Sequence, residues 1–171
     1  MTGFTVFGGL SATVRSNYAV PATNPWAGSP FEWISDAQSG RKGAVGKRLV
    51  RAWAEGEGLQ VVQKSGRGHD FRVSGNRVAV KLSLIWSDGR LVFQQIKDQP
   101  YDVVALLALE PCRARLWIVP KDLLWLRADW QHTGREGQDT KWLHFPATSP
   151  PAWLTSGYGT GTLPRAKRAL K

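Results

Sequence analysis

The segment from Gly68 to Trp86 constrains this chain more than any other. Val78, Val80, Leu82, Leu84 and Trp86 alternate with Arg77, Ala79, Lys81 and Ser83, and a period of two marks a strand with one face on a core. Ser74-Gly75 stands just before it, a Gly-containing pair of the kind that closes a two-residue hairpin. With that turn, Phe71 falls opposite Val78 and Asp70 opposite Ala79, so Asp70, Ala79 and Lys81 share a face and converge. The expectation is one face against the core and the other open for chemistry.

The rest of the chain supplies the elements such a hairpin needs around it. Residues 1–28 combine Gly, Thr, Asn and Pro with few charges, and Pro21, Pro25 and Pro30 interrupt any helix. They are expected to form an extended arm with a short strand at Phe4–Phe7, either crossing a second subunit, tracking DNA, or partly ordered. Ser29-Pro30 marks a helix start, with Ser29 as N-cap and Pro30 at the first helical position. Ala44, Val45, Leu49, Val50 and Trp53 form a helical stripe from Gly43 to Glu55, closed by Gly56 and Gly58. Leu59–Lys64 is the first strand.

After the hairpin, Ser87-Asp88-Gly89-Arg90 makes a second turn. If Asp88-Gly89 is its centre, Gln94 lies on the Ser83 face; Gln95 is the rival if a helix begins there. Val103–Leu109 is a continuous apolar run, the pattern of a strand covered on both faces. Pro111 marks a turn, Arg113–Val119 is the antiparallel neighbour, and Pro120–Leu126 starts a short helix. The fold class is therefore α/β of mixed α+β character, a central mixed β-sheet flanked by helices, forming a single domain over residues 29–171.

The chain has 171 residues, and Lys and Arg number 23 against 13 Asp and Glu, a formal charge of +10. That imbalance favours a polyanionic partner, with nucleic acid ahead of an anionic membrane. No stretch approaches the roughly 20 apolar residues of a membrane helix, and no basic region followed by an apolar run opens the chain, so the expected location is the cytoplasm. Cys112 is the single cysteine, which excludes an intramolecular disulfide and a cysteine-cluster zinc site. Nine tryptophans are many for this length, and some are expected to face a partner.

Residues 128–142 are polar, punctuated by glycine and flanked by tryptophans, with donors and acceptors suited to base edges. Gln131, His132, Thr133, Arg135 and Lys141 are the candidate DNA contacts in this loop. Arg165, Lys167 and Arg168 belong to a basic tail, expected as a short helix that either lies against phosphates or is solvated.

Asp70, then an apolar spacer Val80 before Lys81, resembles the PD-(D/E)xK phosphodiesterase core, in which an aspartate is followed on the next strand by an acidic residue, one spacer and a lysine. The later strings Phe93-Gln94-Gln95-Ile96, Tyr101-Asp102 and Leu116-Trp117-Ile118-Val119 are similar to bacterial type II restriction endonucleases of that superfamily, over about residues 29–145. The resemblance implies a restriction-endonuclease-like core, a homodimer, double-stranded DNA as partner, and Mg²⁺ as cofactor, with Mn²⁺ a substitute and Ca²⁺ supporting binding without cleavage. It places the metal on Asp70, residue 79 and the Val80 carbonyl, makes Lys81 the residue that orients or helps deprotonate water, and gives Gln94 or Gln95 a water or a phosphate to hold.

Ala79 is the departure, for it stands where the motif has a carboxylate. In the same family the first helix often adds an acidic residue, but Lys47 occupies that turn, leaving Glu55 and Glu57 nearby. The chain is therefore expected to be an impaired form of a sequence-specific endonuclease, with position 79 either substituted to trap a complex or natural in a DNA-binding protein derived from a nuclease. A repair or RNA-processing nuclease is the remaining alternative.

Overall fold

The computed structural model describes residues 24–63, 68–131 and 140–171. Most of the N-terminal arm, including the strand expected at Phe4–Phe7, lies outside the described residues, as do His132, Thr133 and Arg135. The elements run α1 (Glu32–Ser35), α2 (Ser39–Gly56), β1 (Val61–Gln63), β2 (Phe71–Val73), β3 (Asn76–Leu84), β4 (Arg90–Ile96), β5 (Val103–Glu110), β6 (Arg113–Pro120), α3 (Lys121–Arg127), β7 (Asp129–Gln131), β8 (Thr140–Pro146), α4 (Ala152–Tyr158) and α5 (Leu163–Ala169).

Among the described residues, five strands form a mixed sheet in the order β1-β2-β3-β5-β6, and β4-β8-β7 form a second, antiparallel sheet. The β2–β3 hairpin has the register its sequence predicts, Phe71 opposite Val78. Its turn has positive φ at both centres, 48° at Ser74 and 90° at Gly75, the arrangement that matches the twist of paired strands. β5 lies between β3, with which it is parallel, and β6, with which it is antiparallel. That central position explains its unbroken apolar run: Val104, Leu106 and Ala108 enter one core, Ala105, Leu107 and Leu109 the other.

The sheet is thus covered on both sides. Val78 and Val80 pack with Ile34, Val50, Ala54, Ala166 and Leu170 from the helices. The opposite face packs on Leu91, Phe93, Leu143 and Phe145 of the second sheet, and on Leu124 and Leu154. Burying each such Leu or Phe side chain contributes about 1.5–3 kcal/mol. This corrects the expectation of an open chemical face along β3: Ala79 is only 6% exposed and sits in the core, and Lys81, half-buried, stands at its rim.

The cause is the path of β4. The turn after β3 forms as expected, with Gly89 N–H donating to the Trp86 carbonyl and Trp86 N–H to the Arg90 carbonyl, each 2.9 Å. Instead of pairing back on β3, β4 pairs with β8 and serves as the crossover that a parallel β3/β5 pair needs. The Ser83 hydroxyl holds its start, accepting from Val92 N–H at 2.7 Å.

Other boundaries shift for local reasons. Ser29 does not cap a helix at Pro30; its hydroxyl accepts from Phe31 N–H, donates to the Pro111 carbonyl at 2.7 Å, and the helix begins at Glu32. The stripe of α2 that is buried runs through Gly46, Val50 and Ala54, while Ala44 is exposed. The loop expected at 128–142 has strands at both ends, Gln131 pairing with Thr140.

Gly46 decides how closely α2 approaches the sheet, because a Cβ there would lie 2.8 Å from Leu82 Cβ. Gly43, one turn earlier, has nothing within 4 Å of that position. Gly43→Ala should therefore stabilise the fold by up to about 1 kcal/mol through helix propensity. Gly46→Ala should instead destabilise it, since overpacking of about 1–3 kcal/mol exceeds that gain. Urea denaturation of the two variants checks the opposite signs.

Candidate functional site

The hairpin places Asp70 at the mouth of a cavity of about 260 Å³, shared with Lys47, His69, Ala79, Lys81, Lys97, Gln99 and Tyr101. Asp70 N–H donates to the Val78 carbonyl, and its side chain folds back so that Oδ2 accepts from Val80 N–H at 2.8 Å. The other oxygen, Oδ1, pairs with Lys47 Nζ at 2.8 Å. Lys47 arrives from α2, carried in by the close contact of Gly46 with Leu82. Asp70, Ala79 and Lys81 do converge on one cavity, as the register requires.

Lys81 reaches across to the second sheet, where its ammonium donates to the Gln95 carbonyl at 2.5 Å. That carbonyl is presented by a bulge: the β4–β8 register shifts between Phe93 and Ile96, and Gln95 has φ of 54°. Gln95 is therefore in an irregular strand rather than a helix, and meets Lys81 through its backbone. Gln94 lines a neighbouring groove of about 590 Å³ with Lys42, Ser83 and Trp86, and this groove shares Lys47, Val80 and Lys81 with the smaller cavity.

Desolvation in this position lowers the Lys81 pKa from 10.5 to about 8; Asp70 opposes the shift, while Lys47 and Lys97 add to it. Roughly a tenth of its amine is then neutral at pH 7. The lysine can counter a phosphate charge and, in its neutral fraction, accept a proton. Since Asp70 supports the charged form, Asp70→Asn should move the Lys81 midpoint further below 8. An NMR titration of the lysine side chains reads the direction, and an upward or absent shift would refute the coupling.

The same cavity holds Tyr101, whose hydroxyl donates to the Lys97 carbonyl at 2.7 Å. Its pKa is pushed up to about 12, by burial first and Asp98 second. Nearby, Asp102 accepts from both the Arg77 backbone N–H and guanidinium, and this pair holds its carboxyl at about 2.

As it stands this set does not fit a magnesium ion. Mg²⁺ asks for several oxygen ligands in octahedral array, and among the described residues the cavity offers one carboxylate, whose two oxygens already have partners. Ala79 contributes no ligand atom from its side chain. Among the described residues, no group of three or more His, Cys, Asp or Glu side chains is placed to hold a metal. The helix does not make up the deficit, because Glu55 pairs with Arg51 at 2.8 Å and Glu57 with Lys167 at 2.9 Å.

The remaining candidate DNA contacts are placed unevenly. Lys141 is 7% exposed; its ammonium donates to the Trp125 carbonyl at 2.5 Å and lies 4.7 and 4.6 Å from the Trp125 and Trp130 ring centroids. The chain's own groups thus hold the cation that was read as a DNA contact of this loop. Gln131 is half-buried at the end of β7. The basic tail is a packed helix, with Ala166 and Leu170 in the core, rather than a solvated appendage. Within it Lys167 is committed to Glu57, Arg165 donates to the Gly157 carbonyl, and Arg168 is exposed.

Sequence reasoning missed His69, Lys97, Gln99 and Tyr101 as members of the cavity, and took Lys47 as a misfit rather than a participant. The one available signal was its position, a cation on the helical turn where a carboxylate was sought.

No protein-family model and no curated protein matches the chain. Among solved structures, a bacterial homing endonuclease, I-Ssp6803I, is similar with a TM-score of 0.45 and 15% identity, over 67% of this chain and 79% of that one. At that score the likeness carries no argument about activity or individual residues. No helix among the described residues is long and apolar enough to cross a membrane.

Proposed function

We propose that the protein binds double-stranded DNA through a site of PD-(D/E)xK nuclease type, and that the chain in its present form binds without cutting efficiently. The observation that carries this reading is the convergence of Asp70 and Lys81 on one cavity while position 79 offers no ligand. The neighbouring groove adds Lys42, Lys47 and Gln94 on a chain with a formal charge of +10, a setting in which phosphate contacts supply most of the affinity.

The finer proposal is a restriction-type endonuclease scaffold acting as a homodimer on a symmetric site, with Mg²⁺ required for any hydrolysis. Sequence choice is assigned to the β7–β8 connection, with Arg135 suited to guanine. Binding without catalysis is the reading favoured for the present chain, because Lys47 and Val80 N–H already hold the carboxylate that a metal needs.

A duplex titration over a range of salt tests the partner. Affinity should fall steeply with salt, and Lys81→Met should weaken all sequences alike and reduce the log–log slope by about 0.9, one phosphate contact. Absence of duplex binding, or a preference for single-stranded RNA, would remove the reading. Arg135→Ala should instead relax sequence choice with little change in slope.

A further inference from the structure

We propose that Lys47 takes the place of a divalent cation at Asp70, and that the pocket it forms with Lys81, Lys97 and His69 binds a phosphate group without metal. This deepens the DNA-binding reading and rests on it for the source of the phosphate.

Three observations lead there. The Lys47 ammonium is 2.8 Å from Asp70 Oδ1, the oxygen that Val80 N–H leaves available. A cation is therefore already seated on the carboxylate, delivered by a side chain instead of taken from solution. Second, the charged residues that line the cavity among the described residues are Lys47, Asp70, Lys81 and Lys97, three positive and one negative. A cavity with an excess of two positive charges repels a metal ion and attracts an anion.

Third, His69 lines the same cavity at 5% exposure, and neither of its ring nitrogens has a hydrogen-bond partner among the described residues. Buried polar atoms in native structures are almost always paired, with protein, water or an ion. Both nitrogens are closed to solvent as they stand, so an anion entering between the lysines meets an imidazole N–H once the ring turns toward it. Lys81 responds to both neighbouring lysines electrostatically, so the three cations act on a common space. The ligand class is a phosphodiester or a free phosphate, whose oxygens accept from ammonium groups.

The test uses the full chain with two probes, a short DNA duplex and inorganic phosphate. Duplex affinity should be the same in EDTA and in Ca²⁺. Lys47→Met should weaken metal-free binding by about tenfold or more, the loss of one charge-assisted contact, and Lys47→Arg should retain it. Inorganic phosphate should shift the His69 imidazole and lysine side-chain NMR signals in the parent and not in Lys47→Met, with thermal melts confirming that both are folded. Tighter binding in Ca²⁺, or equal binding by parent and Lys47→Met, would overturn the proposal even if DNA is bound. If no duplex binds but phosphate gives the Lys47-dependent shifts, the pocket stands with free phosphate as its ligand and the DNA reading falls. If neither probe depends on Lys47, the pocket proposal is wrong.

Discussion

Ala79→Glu should give the chain Mg²⁺ affinity and Mg²⁺-dependent nicking of duplex DNA, raised about 10²-fold or more over the parent. Position 79 is 6% exposed, yet it borders the cavity that Asp70 and Lys81 line. A longer acidic side chain directed into the cavity that Ala79 lines would stand among three lysines that offset the burial of its charge. It adds the second carboxylate that the present donor set lacks. Because Lys47 competes for Asp70, combining the substitution with Lys47→Gln should tighten Mg²⁺ binding beyond the single variant. Calorimetric titration with Mg²⁺ and relaxation of supercoiled DNA measure the two effects. A folded Ala79→Glu protein that takes up no Mg²⁺ and nicks no duplex would sink the nuclease-type assignment.

Trp117→Ala should cost about 3–5 kcal/mol, a large fraction of the about 5–15 kcal/mol that holds a typical domain together. Trp117 is fully buried on β6, edge-on to Phe145 of the second sheet with centroids 6.1 Å apart, and its indole N–H donates to the Gly159 carbonyl at 2.9 Å. Removing it opens a void between the sheets and leaves that carbonyl without its partner. Urea denaturation should show a sharply lower midpoint, whereas the exposed Trp33→Ala should change it little. Equal effects would contradict the placement of the core between the two sheets.

The central hairpin and the strands beyond it were legible because their signals are local. Ser74-Gly75 sets the Phe71–Val78 register, and an apolar run from Val103 needs cover on both sides wherever it lies. The second sheet was not legible. β4 has a short apolar run, Leu91-Val92-Phe93, that suits pairing on β3 as well as on β8, and only the non-local partner distinguishes them. That choice buried Ala79 and brought the Gln95 carbonyl to Lys81.

Charge was similarly ambiguous in the linear sequence. Lys47, Lys141 and Lys167 look alike as solvent-facing cations, but Asp70 and Glu57 reach Lys47 and Lys167 from distant parts of the chain, and the tryptophans meet Lys141 across the β7–β8 pairing. Asp70 and Lys81 could be singled out because they share a short hairpin; His69, the residue before Asp70, carried no pattern of its own, and Lys97 and Tyr101 join through tertiary approach.

The Gln95 bulge gives the site a mechanical dependence. Lys81 belongs to the larger sheet, but the carbonyl that anchors its ammonium belongs to the smaller one, so the lysine's hold is a latch between two layers with separate hydrogen-bond ladders. A local opening of the smaller layer, the kind of partial excursion that hydrogen exchange detects below the global unfolding limit, would release the amine while Asp70 and the larger sheet stay in place. The strength of that latch, rather than overall stability, then sets how much of the time Lys81 is held in position.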